Sequence, residues 1–297
     1  PMIKSTYQLC RAFGIPINLD LSLIILMFIY IRAYGNPVDG ITAGVILLLS
    51  ITLHELGHSL MARVFGCRVR DITLMIIGGR ASLENMPRKY WQEFLVAAAG
   101  PAVSLVLSVI GIVGTAVLYH TGFLKEKTAN FLAESLGLLN LGLLLFNLLP
   151  AFPMDGGRIL RAALQARLSR IRATWIASRI GRVFAGLMIF FALCNIFHFP
   201  LPLPKHPGIF GQLFIYFIAS GTFIQLLIGW MIYTAADREY RMVLLEENGG
   251  NQNPFAGFPF FGGQAQSTPP PDNGQAVVSP PPYERRGTTR VDVHKER

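Results

Sequence analysis

An all-α polytopic membrane protein is the fold class the sequence predicts, with six transmembrane helices and a short membrane-associated β-hairpin or strand-loop between helices two and three. Three observations predict it. The 297 residues are 52% hydrophobic and only 14% charged, where soluble domains carry roughly a quarter charged residues. Mean hydropathy is +0.45. Six apolar stretches reach or approach the roughly 20 residues that a helix needs to cross a bilayer.

Residues 15–31 are the first stretch. Lys4 and Arg11 precede it like the basic region of a signal peptide, yet no small-residue cleavage signature follows, so it reads as a retained span. Residues 41–65, 92–119 and 131–149 are the core spans, and 173–199 and 210–233 are the fifth and sixth. Between spans two and three, "CRVRDITLMIIGGRASLE" (67–84) alternates β-branched residues and breaks at Gly78-Gly79, the pattern of a strand-loop or hairpin. Its Met75-Ile76-Ile77 run is apolar enough to dip into a bilayer where protein or water satisfies the backbone. These elements make one domain over residues 1–240. Residues 241–297 read as a disordered cytoplasmic tail, rich in Pro, Gly, Gln and Ser from about residue 248, with an aromatic patch at 255–261 and a Pro-rich run at 280–283.

Charge sets the orientation. Over residues 1–236 there are 19 Lys and Arg against nine Asp and Glu, a balance of +10, so the basicity belongs to the membrane part. Arg63, Arg68, Arg70, Arg80, Arg88 and Lys89 follow span two, and Arg158, Arg161, Arg167, Arg170 and Arg172 follow span four. Arg32, Lys125, Lys127 and Lys205 are the cations of the opposite side. The positive-inside rule then puts both termini in the cytoplasm of a multi-pass cell-membrane protein. Cations spread over short inter-span segments do not make the basic face that nucleic acid requires, so no nucleic-acid partner is expected. The lipid bilayer is. Three scattered cysteines with no CxxC pair indicate no disulfide framework.

Against this apolar background stands "ITLHELGHSL" (51–60). Ionisable groups at membrane depth are costly, so each is a functional candidate. His54 and His58 lie four residues apart on a helix, which brings both imidazoles to one face where they can chelate a single ion, and Glu55 between them can reach a water at that ion. A catalytic zinc takes three protein ligands and keeps one open position. Acidic candidates for the third ligand are Asp20, Glu55, Glu134 and Asp155. Topology selects Asp155. His58 and His54 lie about 10 and 16 Å before the inner end of span two at the helical rise, and span four also ends inside. Pro150 and Pro153 would break its helix and let Asp155 reach that depth. Asp20 reads as an interfacial residue, Glu134 as lying near the outer end of span four, and Gly100, Pro101, Gly111 and Gly114 as aids to close helix packing.

Taken together, "HELGH", the "NLLPAFPMDGG" run (147–157), "GGRASLE", "AAAGPAVSL" and "FGIPINLDLS" resemble the site-2 protease family of intramembrane zinc metalloproteases over roughly residues 12–240. That resemblance implies one Zn²⁺ per chain held by His54, His58 and Asp155, with Glu55 as catalytic base and Asn147 contacting substrate near the scissile bond. It also implies that the strand-loop around Gly78 and Gly79 holds substrate extended. The expected activity is cleavage of the transmembrane segment of a single-span membrane protein near the cytoplasmic face. Two other classes stay open, a metal-binding channel or transporter and a catalytically silent homologue that binds membrane partners. Neither gives a reason for Glu55 at this spacing.

Overall fold

A computed structural model of the chain describes residues 6–76, 78–84, 89–199 and 223–247. In order, the elements are strands β1 (Thr6–Ala12) and β2 (Ile15–Asp20), helices α1 (Leu23–Tyr34) and α2 (Pro37–Val64), and strands β3 (Arg68–Met75) and β4 (Gly78–Glu84). Helices α3 (Tyr90–His120), α4 (Glu126–Asn147), α5 (Asp155–Gln165), α6 (Arg170–Ile196) and α7 (Phe223–Glu247) follow.

Among the described residues, α2, α3, α4 and α6 are long and apolar enough to cross a membrane, four helices where six spans were expected. Their outward faces are apolar: Val45, Leu49 and Leu53 on α2, Leu105, Val109 and Val113 on α3, and Val183, Leu187 and Phe190 on α6 are all exposed. Contiguous exposed apolar surface of this extent marks a lipid-facing protein. The sixth expected span begins in residues 210–222, outside the described residues, and its described part belongs to α7. α7 runs on to Glu247, past the domain boundary expected at 240, while the remainder of the tail lies outside the described residues.

Expected span one is the clearest correction. Its first residues are β2, in which Ile15 and Ile17 are buried while Pro16 and Asn18 are only half-buried, a period of two. What remains is α1, 12 residues long. β2 pairs antiparallel with β1 and parallel with β3, so the hairpin expected after span two is half of a four-stranded sheet ordered β1-β2-β3-β4. Within the hairpin Met75 pairs with Gly78 and Leu74 with Gly79. Gly78 has φ +131°, where a side chain would be strained. Ile77 lies outside the described residues.

The sheet packs against α2. Ile15, Ile17, Leu23, Ile72 and Leu74 form one core with Ile51 and Leu56 of α2, one turn before His54 and next to Glu55. α2 itself starts where Asn36 Oδ1 accepts from Val38 N (3.0 Å) ahead of Pro37, a capped start with proline in the first turn. Arg63 near its far end donates to Phe13 O (2.6 Å), which ties the β1–β2 turn to the helix.

α3 and α4 cross where each widens into π-type turns, at Ile110–Gly114 and Ala133–Leu138. A Cβ on Gly111 would overlap the backbone nitrogen of Gly137 and lie 2.5 Å from its Cα. Gly111→Ala should therefore overpack the crossing and lower stability by about 1–3 kcal/mol. Gly142→Ala, with nothing within 4 Å of the added methyl, is the matched control. Thermal midpoints of the two variants in detergent check this; equal midpoints would remove the crossing's dependence on bare backbone.

Candidate metal centre

Sequence spacing and packing agree on where the ionisable residues of α2 point. Its buried positions include Ser50, His54, His58 and Ala62, one stripe at four-residue intervals, whose two histidines face α3. Both histidines are buried, at 3% and 4% exposure. Glu55, one position round the helix, is half-buried and turns to the sheet: its Oε2 accepts from the β4 amide Ala81 N at 3.1 Å.

Asp155 arrives by the expected break. α4 ends at Asn147, residues 148–154 form a tight turn containing Pro150 and Pro153, and Asp155 opens α5. Met154 N donates to Ala151 O (3.0 Å) and Gly157 N to Met154 O (3.2 Å), so the turn is closed by its own backbone. Gly156 and Gly157 permit it: a Cβ on Gly156 would overlap the Leu148 and Leu149 carbonyl oxygens, and one on Gly157 would lie 2.7 Å from the Ala151 carbonyl carbon.

The result is a buried group of three donors. Asp155 Oδ2 is 3.1 Å from both His54 Nε2 and His58 Nε2, and the two Nε2 atoms are 3.2 Å apart. Each outer nitrogen has its own partner: His58 Nδ1 donates to Val96 O at 2.7 Å, and His54 Nδ1 pairs with the buried Ser104 Oγ at 2.8 Å. A carbonyl only accepts, so His58 carries its proton on Nδ1 and turns the Nε2 lone pair inward. Nε2 of two imidazoles and a carboxylate oxygen thus converge, with all three ligand atoms within 4.8 Å of one another. That donor set suits one shared cation, and its two nitrogens and one oxygen match a zinc site with one position left open.

Gly100 completes the cradle. It was expected merely to ease helix packing, and it does so against the donors themselves: a Cβ there would overlap His58 Nε2 and lie 2.7 Å from His54 Nε2. Gly79 plays a similar part at Glu55, where an added Cβ would meet Cγ at 2.5 Å and Ile51 Cγ2 at 2.9 Å. The hairpin glycine is thus beside the candidate base. Asn147 ends α4, and its Nδ2 donates to Leu143 O of its own helix at 2.9 Å.

The other acidic candidates lie in other elements. Asp20 ends β2, and its Oδ1 accepts from Ser22 N (2.9 Å) at the entry to α1. Glu134 lies in the π-type segment of α4. Sequence reading missed Glu93 altogether. It sits in the first turn of α3 at 6% exposure, and a carboxylate beside an apolar run at "YWQEFLV" was the available signal.

Comparison with known proteins follows the same residues. Positions 42–191 match the family described as peptidase family M50. A zinc metalloprotease of Methanocaldococcus jannaschii is 32% identical over 242 residues, which is 80% of this chain and 62% of that protein. A Synechocystis relative is 33% identical over 250 residues, 79% of this chain and 60% of its own length. The chain therefore spans about three-fifths of the curated relatives it matches. Among solved structures, the site-2 protease from Methanocaldococcus jannaschii aligns with a TM-score of 0.52 and 31% identity, covering 80% of this chain and 95% of that one.

Proposed function

This chain belongs to peptidase family M50, and on that footing we propose that it is an intramembrane zinc endopeptidase that cleaves the transmembrane segment of a single-span membrane protein. The observation that carries the reading is the convergence of His54 and His58 on the apolar α2 with Asp155 at the start of α5, with Glu55 beside them. His54, His58 and Asp155 would hold one zinc ion. Bound there, zinc supplies Lewis acidity towards water and a peptide carbonyl.

Every other step belongs to the chain's own residues. Glu55 accepts a proton from the attacking water and returns it to the leaving amine, the role that a half-buried carboxylate beside the donor group can fill. Val96 O and Ser104 Oγ orient the imidazoles. A transmembrane helix hides its carbonyls in its own hydrogen bonds and must be unwound before hydrolysis. β4 is the last strand of the sheet order among the described residues, and its outer edge, where Ala81 N meets Glu55, would offer an unwound segment replacement partners. Gly78 and Gly79 keep that edge free of side chains where it nears Glu55, and Asn147 is the proposed polar contact to substrate near the cut. The cations Arg63, Lys89, Arg170 and Arg172, at the matching ends of α2, α3 and α6, favour a multi-pass topology with both termini and the centre towards the cytoplasm.

Ser104→Ala removes the partner of His54 Nδ1 without touching a ligand. Zinc affinity should fall by about 10- to 100-fold, the usual cost of losing a group that orients a ligand, as read by chelator competition. An unchanged affinity would remove Ser104 from the centre. The proposed activity is tested by zinc content together with cleavage of a model single-span substrate in detergent. About one zinc per chain with cleavage supports it, and an unsubstituted chain that binds no zinc sinks it. A metal channel or a silent binding protein would predict no cleavage dependent on Glu55.

A further inference from the structure

A second buried cluster of charge lies next to the donor group. Arg161 on α5 is 2% exposed, although its sequence position placed it among the cations that set topology. Its Nε donates to Glu93 Oε1 at 2.8 Å, Nη2 donates to the same oxygen, and Nη1 donates to Glu239 Oε1 on α7. Gln165 Nε2 lies 3.3 Å from the other Glu93 oxygen. The guanidinium carbon also stands 5.2 Å from the centre of the buried Phe152 ring, near enough for a cation–π contact. The planar fork of arginine is thus used on three sides at once.

The position of this cluster gives it meaning. Glu93, Val96, Gly100 and Ser104 follow one another on a stripe of α3 at helical spacing, and the last three are the residues that meet the histidines. Arg161 belongs to the helix that Asp155 opens, and Phe152 stands three residues before Asp155 in the preceding turn. One guanidinium therefore joins the helix that seats the imidazoles to the helix that presents the carboxylate. Metal sites demand ligand positions good to about 0.2 Å. A joint this close and this buried is placed to hold that tolerance.

We propose that Arg161 is a positioning residue of the metal centre: through Glu93 and Phe152 it sets the separation of α3 and α5, and through Glu239 it makes the seating of α7 part of the same adjustment. The proposal rests on the zinc reading above. Its rival is an ordinary buried ion pair, which is retained or lost as a matter of stability alone. Zinc affinity and the visible spectrum of Co²⁺ substituted into the purified full chain separate the two, because a merely structural pair moves neither.

Two variants carry the test. Arg161→Lys keeps the charge but cannot reach both carboxylates as a fork, and zinc affinity should weaken by about 10-fold or more with altered Co²⁺ bands. Glu239→Gln leaves the Arg161–Glu93 joint and removes only the α7 arm, so a smaller loss, about threefold, is expected by the same reasoning. Zinc affinities within twofold of the unsubstituted chain for both variants, with an unchanged Co²⁺ spectrum, would overturn the proposal even if thermal midpoints fall. Should Arg161→Lys fail to fold, Glu239→Gln decides alone by the same twofold limit. An unsubstituted chain without zinc affinity would overturn the zinc reading itself, and this proposal with it.

Discussion

One methyl group at position 100 is expected to cost this protein its metal. Gly100→Ala puts a Cβ where His58 Nε2 now stands and 2.7 Å from His54 Nε2. Both are ring atoms of short side chains that are already fixed at their other nitrogen, His58 by Val96 O and His54 by Ser104 Oγ. Neither ring can yield without losing that partner, and α3 cannot retreat without breaking its contact to the rings. We expect zinc content to fall from about one per chain, the stoichiometry of a three-ligand site, to near none, and cleavage to vanish with it. Alanine favours a helix over glycine by up to about 1 kcal/mol, so the helix itself should survive. Metal analysis beside a far-ultraviolet circular dichroism spectrum checks both halves. Retention of a full complement of zinc would show that the rings do not occupy these positions in the loaded protein.

The second large effect separates binding from chemistry. Glu55→Gln should keep zinc and lose cleavage by about 10²- to 10⁴-fold, the span that a positioned general base contributes. A glutamine oxygen can still accept from Ala81 N, which holds Glu55 at 3.1 Å, so the side chain should stay in place while its capacity to take a proton is removed. Metal content and the initial rate of cleavage of a single-span substrate are the two readings. A variant cutting at more than a tenth of the parent rate would end the base assignment; one that loses zinc as well would show that Glu55 also supports the donors.

Several features were legible because they depend on near neighbours in the chain. Four-residue spacing alone brings His54 and His58 to one face of any helix. Pro150 and Pro153 end α4 for reasons internal to proline, and the turn they force delivers Asp155. Other features misled for an equally physical reason. Residues 15–20 are apolar enough to extend a membrane span, but their period is two, and β1 and β3 were available to pair with them. Parallel pairing of Ile17 with Ile72 joins segments far apart in sequence, and no local signal at residue 17 announces it.

Arg161 shows the same limit at the centre. Read locally, it is one more cation following a membrane span. Its partners stand 68 and 78 residues away, on α3 and α7, and only the packing of three helices reveals that it is buried. By itself, then, the sequence determined the chemistry on offer: an apolar chain, two imidazoles and a carboxylate in one helical turn, and a second carboxylate at a proline-made break. Tertiary structure decided which atoms meet. Donor convergence within 4.8 Å, the bare backbone at Gly100 and the guanidinium joint behind Asp155 all follow from how separate helices pack, and contacts between distant segments leave no periodicity in a single chain to read.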